Sequence, residues 1–181
     1  MLGKSVVETQ EQPVIEAGRF TLRPPRSGDI GMLEMYAGDE RVARGSRSIP
    51  HPLPPGVSES YVARALAPER EEDVWVLDGG DKGHEVLGVI SLRRMDRNQS
   101  QLGYWVAPAL WNTGLASEAV TALVAANPLG NETLFAEVFQ DNPASARVLT
   151  NAGFQYIGEA EAHSVARGAN VPTWTYCRRM G

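Results

Sequence analysis

From residue 13 onward, short stretches that alternate apolar and polar positions trade places with stretches whose apolar residues recur every three or four. Residues 14–22 are interrupted by Ala17-Gly18 and predict a short strand, a turn and a second strand. Arg19, Phe20, Thr21, Leu22 and Arg23 alternate as a half-buried strand does, and Pro24-Pro25 ends the pattern. Ser27-Gly28-Asp29 then precedes Ile30, Met32, Leu33, Met35 and Tyr36, a helix start followed by helical spacing. Prolines at 50, 52, 54 and 55 exclude regular helix or central strand there. A helix restarts at Ser58 and is limited by Pro68.

Residues 74–77 and 86–95 read as strands around a turn at 78–83, and residues 101–106 follow as a third. Strands this closely linked argue for an antiparallel meander. Residues 115–126 carry Leu115, Ala119, Leu123 and Ala126 at near-helical steps. Residues 133–140 alternate again. Asn142-Pro143 then offers an N-cap with proline at the first helical position, and Gly153 a helix end. Residues 155–158 and 173–178 close the chain as strands. This order predicts an α/β (α+β) domain around a mixed sheet over residues 13–181, behind a loose tail at 1–12.

Composition narrows the function classes. The chain has 181 residues, 43% hydrophobic and 22% charged, within the range of a soluble globular domain. Its net charge of -5 gives no expectation of nucleic-acid binding and a mild bias toward cationic partners. Cys177 is the single cysteine, and His51, His84 and His163 are scattered, so no metal site is expected. No leader-like or membrane-spanning run stands out, so no membrane role and a cytoplasmic location are expected.

Two strand-to-helix junctions can carry chemistry. In the first, Gly103-Tyr104-Trp105 leads through Pro108 to Trp111-Asn112-Thr113-Gly114-Leu115-Ala116-Ser117-Glu118-Ala119. Small residues open the helix, where unpaired N–H groups and the positive end of the dipole suit an anion. The segment is neither a Walker loop nor a dinucleotide fingerprint, so an ordinary turn stays open as a reading. In the second, Asn142 and Ser145 stand one helical turn apart at a helix start, where a simple cap at Asn142 stays open as a reading.

Together these segments resemble the two signature segments of the GNAT superfamily of N-acetyltransferases. They are most similar to its RimJ/RimL branch, which acetylates ribosomal-protein N-termini. The matching residues are Gly103-Tyr104-Trp105, Trp111 with Gly114, Ala116, Ser117, Glu118 and Ala119, then Asn142, Ser145, Val148-Leu149 and Gly153-Phe154. The opening from Val14 to Pro24 and Ser27-Gly28-Asp29 resembles the branch as well. The resemblance implies a mixed, mostly antiparallel sheet of about seven strands, with helices on both faces and a splayed parallel pair at 101–107 and 133–140.

It also implies direct transfer from acetyl-CoA, without a metal, to a primary amine. Backbone N–H groups of 113–117, flanked by Trp111 and Asn112, are expected at the pyrophosphate. Trp105, Val106 and Ala107 are expected beside the pantetheine, with the Val106 N–H at the developing oxyanion. Asn142 is expected to bond the pantetheine. Many members place a tyrosine acid in the second segment; Leu149 stands at that position here, so Ser145 is the expected proton donor. Gln101 stands where the branch often has a glutamate, which leaves Glu137 as the candidate base. Glu118 reads as structural. An α-amine, with an ordinary pKa near 7.7–8.0 against about 10.4 for lysine, is the favoured acceptor. A peptide N-terminus, a small amine, and an acyl-CoA-binding module without turnover remain the three readings, with a monomer or homodimer.

Overall fold

The computed structural model describes residues 11–80 and 86–181. Residues 1–10 of the expected tail at 1–12 and part of the expected turn, at 81–83, lie outside these residues. The described strands are β1 (Ile15–Glu16), β2 (Thr21–Arg23), β3 (Glu72–Asp78), β4 (Gly88–Met95), β5 (Gln99–Val106), β6 (Thr133–Phe139), β7 (Gln155–Ser164) and β8 (Ala169–Arg179). The helices are α1 (Ile30–Ala37), α2 (Glu40–Gly45), α3 (Val57–Leu66), α4 (Leu115–Ala126) and α5 (Pro143–Asn151). The eight strands form one sheet in the order β1-β2-β3-β4-β5-β6-β8-β7. The count exceeds the expected figure of about seven because the two-residue β1 still pairs with β2.

Alternation along the central strands sorts side chains to two faces. Trp75, Leu77, Ile90, Leu92 and Leu102 pack with α4 residues Leu115, Val120 and Leu123 and with Leu149 of α5. Val74, Val76 and Val89 point the other way, against Leu33 of α1 and Val62 of α3. Both faces are therefore covered by helices, which closes the core around the middle of the sheet. Near its first edge, partly buried Arg23 donates to Asp29 at 2.8 and 2.9 Å and to Asp78 at 2.6 Å, tying β2 to the start of α1. Among the described residues no helix is long and apolar enough to cross a membrane.

β5 and β6 run parallel, but their pairing spans only Gln99↔Thr133 to Leu102↔Ala136. Past that point each strand stays with its other neighbour. β5 pairs with β4 as far as Val106↔Gly88, and β6 with β8 as far as Phe139↔Thr173. The two strands therefore part into a wedge, as the splayed pair at 101–107 and 133–140 was expected to do.

Candidate functional site

A cleft of about 1380 Å³ opens at this wedge, lined by β5, β6, the loop before α4, the start of α5, α2, α3 and the β7–β8 turn. That exceeds the roughly 300–1,000 Å³ of a site for one drug-sized ligand. The backbone of β5 determines what faces it. In an antiparallel pair, residues alternate between those that bond their partner and those that turn their N–H and C=O away. The Ala107 N–H donates to the Leu87 carbonyl at 2.9 Å, which makes Gly88↔Val106 a pair of the second kind. Trp105 is then bonded to Val89, whereas Tyr104 and Val106 aim their N–H groups away from β4. No β6 partner exists for them beyond Leu102. Of the expected stretch Trp105, Val106 and Ala107, only Val106 therefore presents its N–H to the gap.

The loop that follows is held from both sides. The Trp111 indole N–H donates to the Val106 carbonyl at 2.8 Å, and its half-exposed ring lies 5.9 Å from the Arg41 guanidinium. Trp111 thus covers the loop and is not a core residue. Arg19 donates to the Thr113 carbonyl at 2.9 Å. The Arg19 N–H and side chain also reach Glu118, at 2.7 and 2.6 Å. Burial works to raise the Glu118 carboxyl, but these bonds hold it below the ordinary glutamate range. Glu118 is structural, as its place in the sequence suggested: it anchors the first turn of α4 to the β1–β2 turn. Gly114 ends the loop at φ +81°, a left-handed conformation that favours glycine. Asn112 and Thr113 are exposed beside it.

Helix α4 starts without a side-chain cap, and its first internal bond runs from Glu118 N–H to Gly114 C=O at 3.0 Å. The N–H groups of Leu115, Ala116 and Ser117 therefore have no partner within the helix. An anion at this point meets three donors and the positive end of the dipole. Helix α5 starts differently. Asn142 Oδ1 accepts the Ser145 N–H at 3.3 Å, so Asn142 is a cap. Its Nδ2 makes no bond to another described residue, and it lines the cleft. The Ser145 hydroxyl lies 2.7 Å from the Tyr104 phenol oxygen. Burial pushes the Tyr104 phenol up to about 12, against the opposing bond to Ser145.

Glu137 is the first residue of β6 past the end of the parallel pairing. Its side chain is 16% exposed, Oε1 is buried without a hydrogen bond, and the Arg47 guanidinium stands off at 3.8 Å. The carboxylate is thus mostly enclosed in the cleft wall, facing Arg47. Glu72, on β3, lines the same cleft; burial raises its carboxyl against the pull of Arg93, Arg64 and Arg47. Gln101 lies in the same cross-strand row as Glu72 and Arg93.

The outer wall of the cleft is pinned by Arg167 in the β7–β8 turn. It donates to the Arg44 carbonyl at 2.8 and 3.2 Å and to Asp141 at 2.5 and 3.1 Å, and it covers the Phe139 ring at 4.9 Å. The Val165 N–H adds a bond to the Arg47 carbonyl at 3.0 Å. Sequence reasoning found the loop before α4 and the start of α5, but not Glu72, Arg47, Arg167 or the Tyr104–Ser145 contact. The only signal for the last was the Gly-Tyr-Trp run, whose tyrosine reads as core.

Residues 19–155 match the profile of the acetyltransferase (GNAT) domain family. Over 169 residues, 91% of this chain and 95% of the relative, the chain is 26% identical to the uncharacterised N-acetyltransferase YoaA of Bacillus subtilis. The fold is similar to that of RimL, a ribosomal L7/L12 α-N-protein acetyltransferase solved with coenzyme A. The TM-score is 0.78 at 16% identity, over 93% of this chain and 98% of that one. It is also similar to the spermidine N-acetyltransferase of Vibrio cholerae solved with CoA and spermine. There the TM-score is 0.76 at 14% identity, over 90% and 96%.

Proposed function

This chain belongs to the acetyltransferase (GNAT) domain family and is an acyltransferase. From that premise we propose that it moves an acetyl group from acetyl-CoA to the α-amine of a peptide N-terminus. The observation that carries the reading is the wedge between β5 and β6. There the unpaired Val106 N–H faces the cleft, and the uncapped start of α4 opens onto the same space.

Bound there, acetyl-CoA supplies an acetyl thioester, activated for attack by an amine. The N–H groups of Thr113 to Ser117 hold its pyrophosphate. Asn142 reaches the pantetheine with its free Nδ2. The Val106 N–H donates to the carbonyl oxygen and gains strength as negative charge develops there; such a donor is worth about 10²–10³-fold in rate. Glu137 receives the amine at its unbonded Oε1 and takes up its proton, directly or through water. Ser145 O–H faces the departing sulfur.

Two observations favour an α-amine over lysine or a polyamine. The α-amine sheds its proton near neutrality, which asks little of Glu137. Arg47, Arg64 and Arg93 surround the inner carboxylate Glu72, an unfavourable place for a second ammonium. A small amine is the second reading. What favours it is the Arg167 clasp, which fixes three cleft-lining segments together and limits the bulk of an acceptor.

The test is mass spectrometry of an acceptor mixture incubated with enzyme and acetyl-CoA. The mixture holds peptides with free N-termini, N-terminally blocked lysine peptides and spermidine. The reading predicts acetylation of the free N-termini first. Acetylated spermidine with untouched peptides would select the small-amine reading.

A further inference from the structure

Position 149 is a leucine, fully buried in the core, and α5 offers the cleft no phenol there. A phenol arrives from the opposite wall instead. Tyr104 OH lies 2.7 Å from Ser145 Oγ and 3.1 Å from the Ser145 carbonyl oxygen. Each hydroxyl owns one proton, and the carbonyl can only accept. If Tyr104 donated to the carbonyl, Ser145 would spend its own proton on the phenol oxygen. If Tyr104 donates to Oγ, the Ser145 proton is left over for a third group. The shorter contact is the one to Oγ, and Ser145 lines the cleft.

We propose that Tyr104 is a positioning residue: by donating its phenol proton to Ser145 Oγ, it turns the Ser145 O–H toward the sulfur that leaves acetyl-CoA. This rests on reading the cleft as the acetyl-CoA site. During transfer the new C–N bond forms, the C–S bond breaks, and its electron pair stays on sulfur. The amine proton departs through Glu137 or water. The thiolate accepts the hydrogen bond from Ser145 and gains its own proton from solvent on release. The phenol, at about 12, sits well above the ~8.5 of a thiol. Tyr104 therefore keeps its proton throughout and acts through direction, not as the acid.

Product binding reads this without turnover. A site that donates to sulfur favours the thiolate, so free CoA binds more tightly as pH rises toward the thiol pKa. Acetyl-CoA, which has no titrating thiol, gives the baseline. Calorimetry from pH 7 to 9 is expected to show about a sixfold gain for CoA over that baseline, what a one-unit lowering of a thiol pKa of ~8.5 gives across that range. Tyr104→Phe and Ser145→Ala should each flatten the gain, and the double variant should be no flatter than either. A flat wild-type profile overturns the proposal, as does a Tyr104→Phe profile that keeps its slope. Should Tyr104→Phe fail to fold, 3-fluorotyrosine incorporated at Tyr104 provides a more acidic donor of nearly the same shape. It must steepen the slope, and an unchanged slope counts against the proposal. Absent acetyl transfer to every amine would instead count against the proposed function and leave the calorimetry decisive for Tyr104. Absent CoA binding would remove both.

Discussion

Gly88 faces Val106 across the β4–β5 pair, and its missing side chain lets the two backbones approach closely at the edge of the cleft. A Cβ at Gly88 would lie 2.3 Å from the Trp105 carbonyl oxygen and 2.9 Å from the Val106 Cα. Real Cβ contacts stay above 3.0 Å, and both neighbours are backbone, so neither can swing aside. In Gly88→Ala the strands must part by about 0.7 Å, the shortfall from that floor. Overpacking of this kind costs about 1–3 kcal/mol. For a domain of this size that lowers Tm by roughly 2–12 °C. The same displacement moves the Val106 N–H off its target, and a shift near 1 Å at a reacting centre can cost about 10²-fold. We expect kcat to fall by roughly 10–100-fold while acetyl-CoA affinity changes by less than about threefold, because Arg19 holds the loop through Thr113 and Glu118 independently of β5. Gly31→Ala is the control: its Cβ meets nothing within 4 Å on α1. Steady-state kinetics, calorimetry and thermal melts on the three proteins decide the matter. A folded Gly88→Ala with kcat within twofold of wild type would refute the role given to Val106, as would a loss accounted for wholly by weaker acetyl-CoA binding.

Three further outcomes are expected. Glu137→Gln keeps the shape of the side chain and should lower kcat/KM for the amine by about 10²-fold at pH 7, with acetyl-CoA affinity unchanged. The deficit should shrink above pH 8, where the free α-amine has already lost its proton, and a pH profile checks both points. The double change Arg64→Glu and Arg93→Glu should shift preference from peptide N-termini toward spermidine by roughly fivefold or more, read as a ratio of kcat/KM values. Glu118 has a depressed carboxyl in the folded chain, so its contribution to stability is present above the ordinary glutamate pKa and is lost as pH falls through the folded value. Glu118→Gln should therefore be less stable than wild type at neutral pH and converge with it below about pH 4 in denaturant titrations.

How far the sequence carried the account depended on the range of each interaction. Helix α5 was legible because its start signal, Asn142-Pro143, is local, and the structure uses it as read. The end of β5 was legible because Pro108 cannot extend a strand. The last hairpin was not. It was expected as 155–158 and 173–178, yet β7 and β8 run ten and eleven residues. Most of β7 is exposed, so alternation is faint, and a register shift between Tyr156 and Gly158 breaks what little there is. Helix α2 escaped notice because its six residues are too few to show a period. In the cleft, Gly114 was visible as a small residue in a loop. Gly88 was not, since its meaning depends on Val106, eighteen positions later. The Tyr104–Ser145 and Arg47–Glu137 contacts likewise join segments that no spacing rule connects.

Transfer of acetyl groups from acetyl-CoA to amines in this cleft is tested most directly by release of free thiol from acetyl-CoA, with and without amines, by wild type beside Gly114→Trp. A large side chain at the left-handed Gly114 fills the loop and strains its backbone. Amine-dependent release is expected from wild type and its loss from the variant. Equal release by both proteins, or none by wild type with any amine, would contradict this expectation.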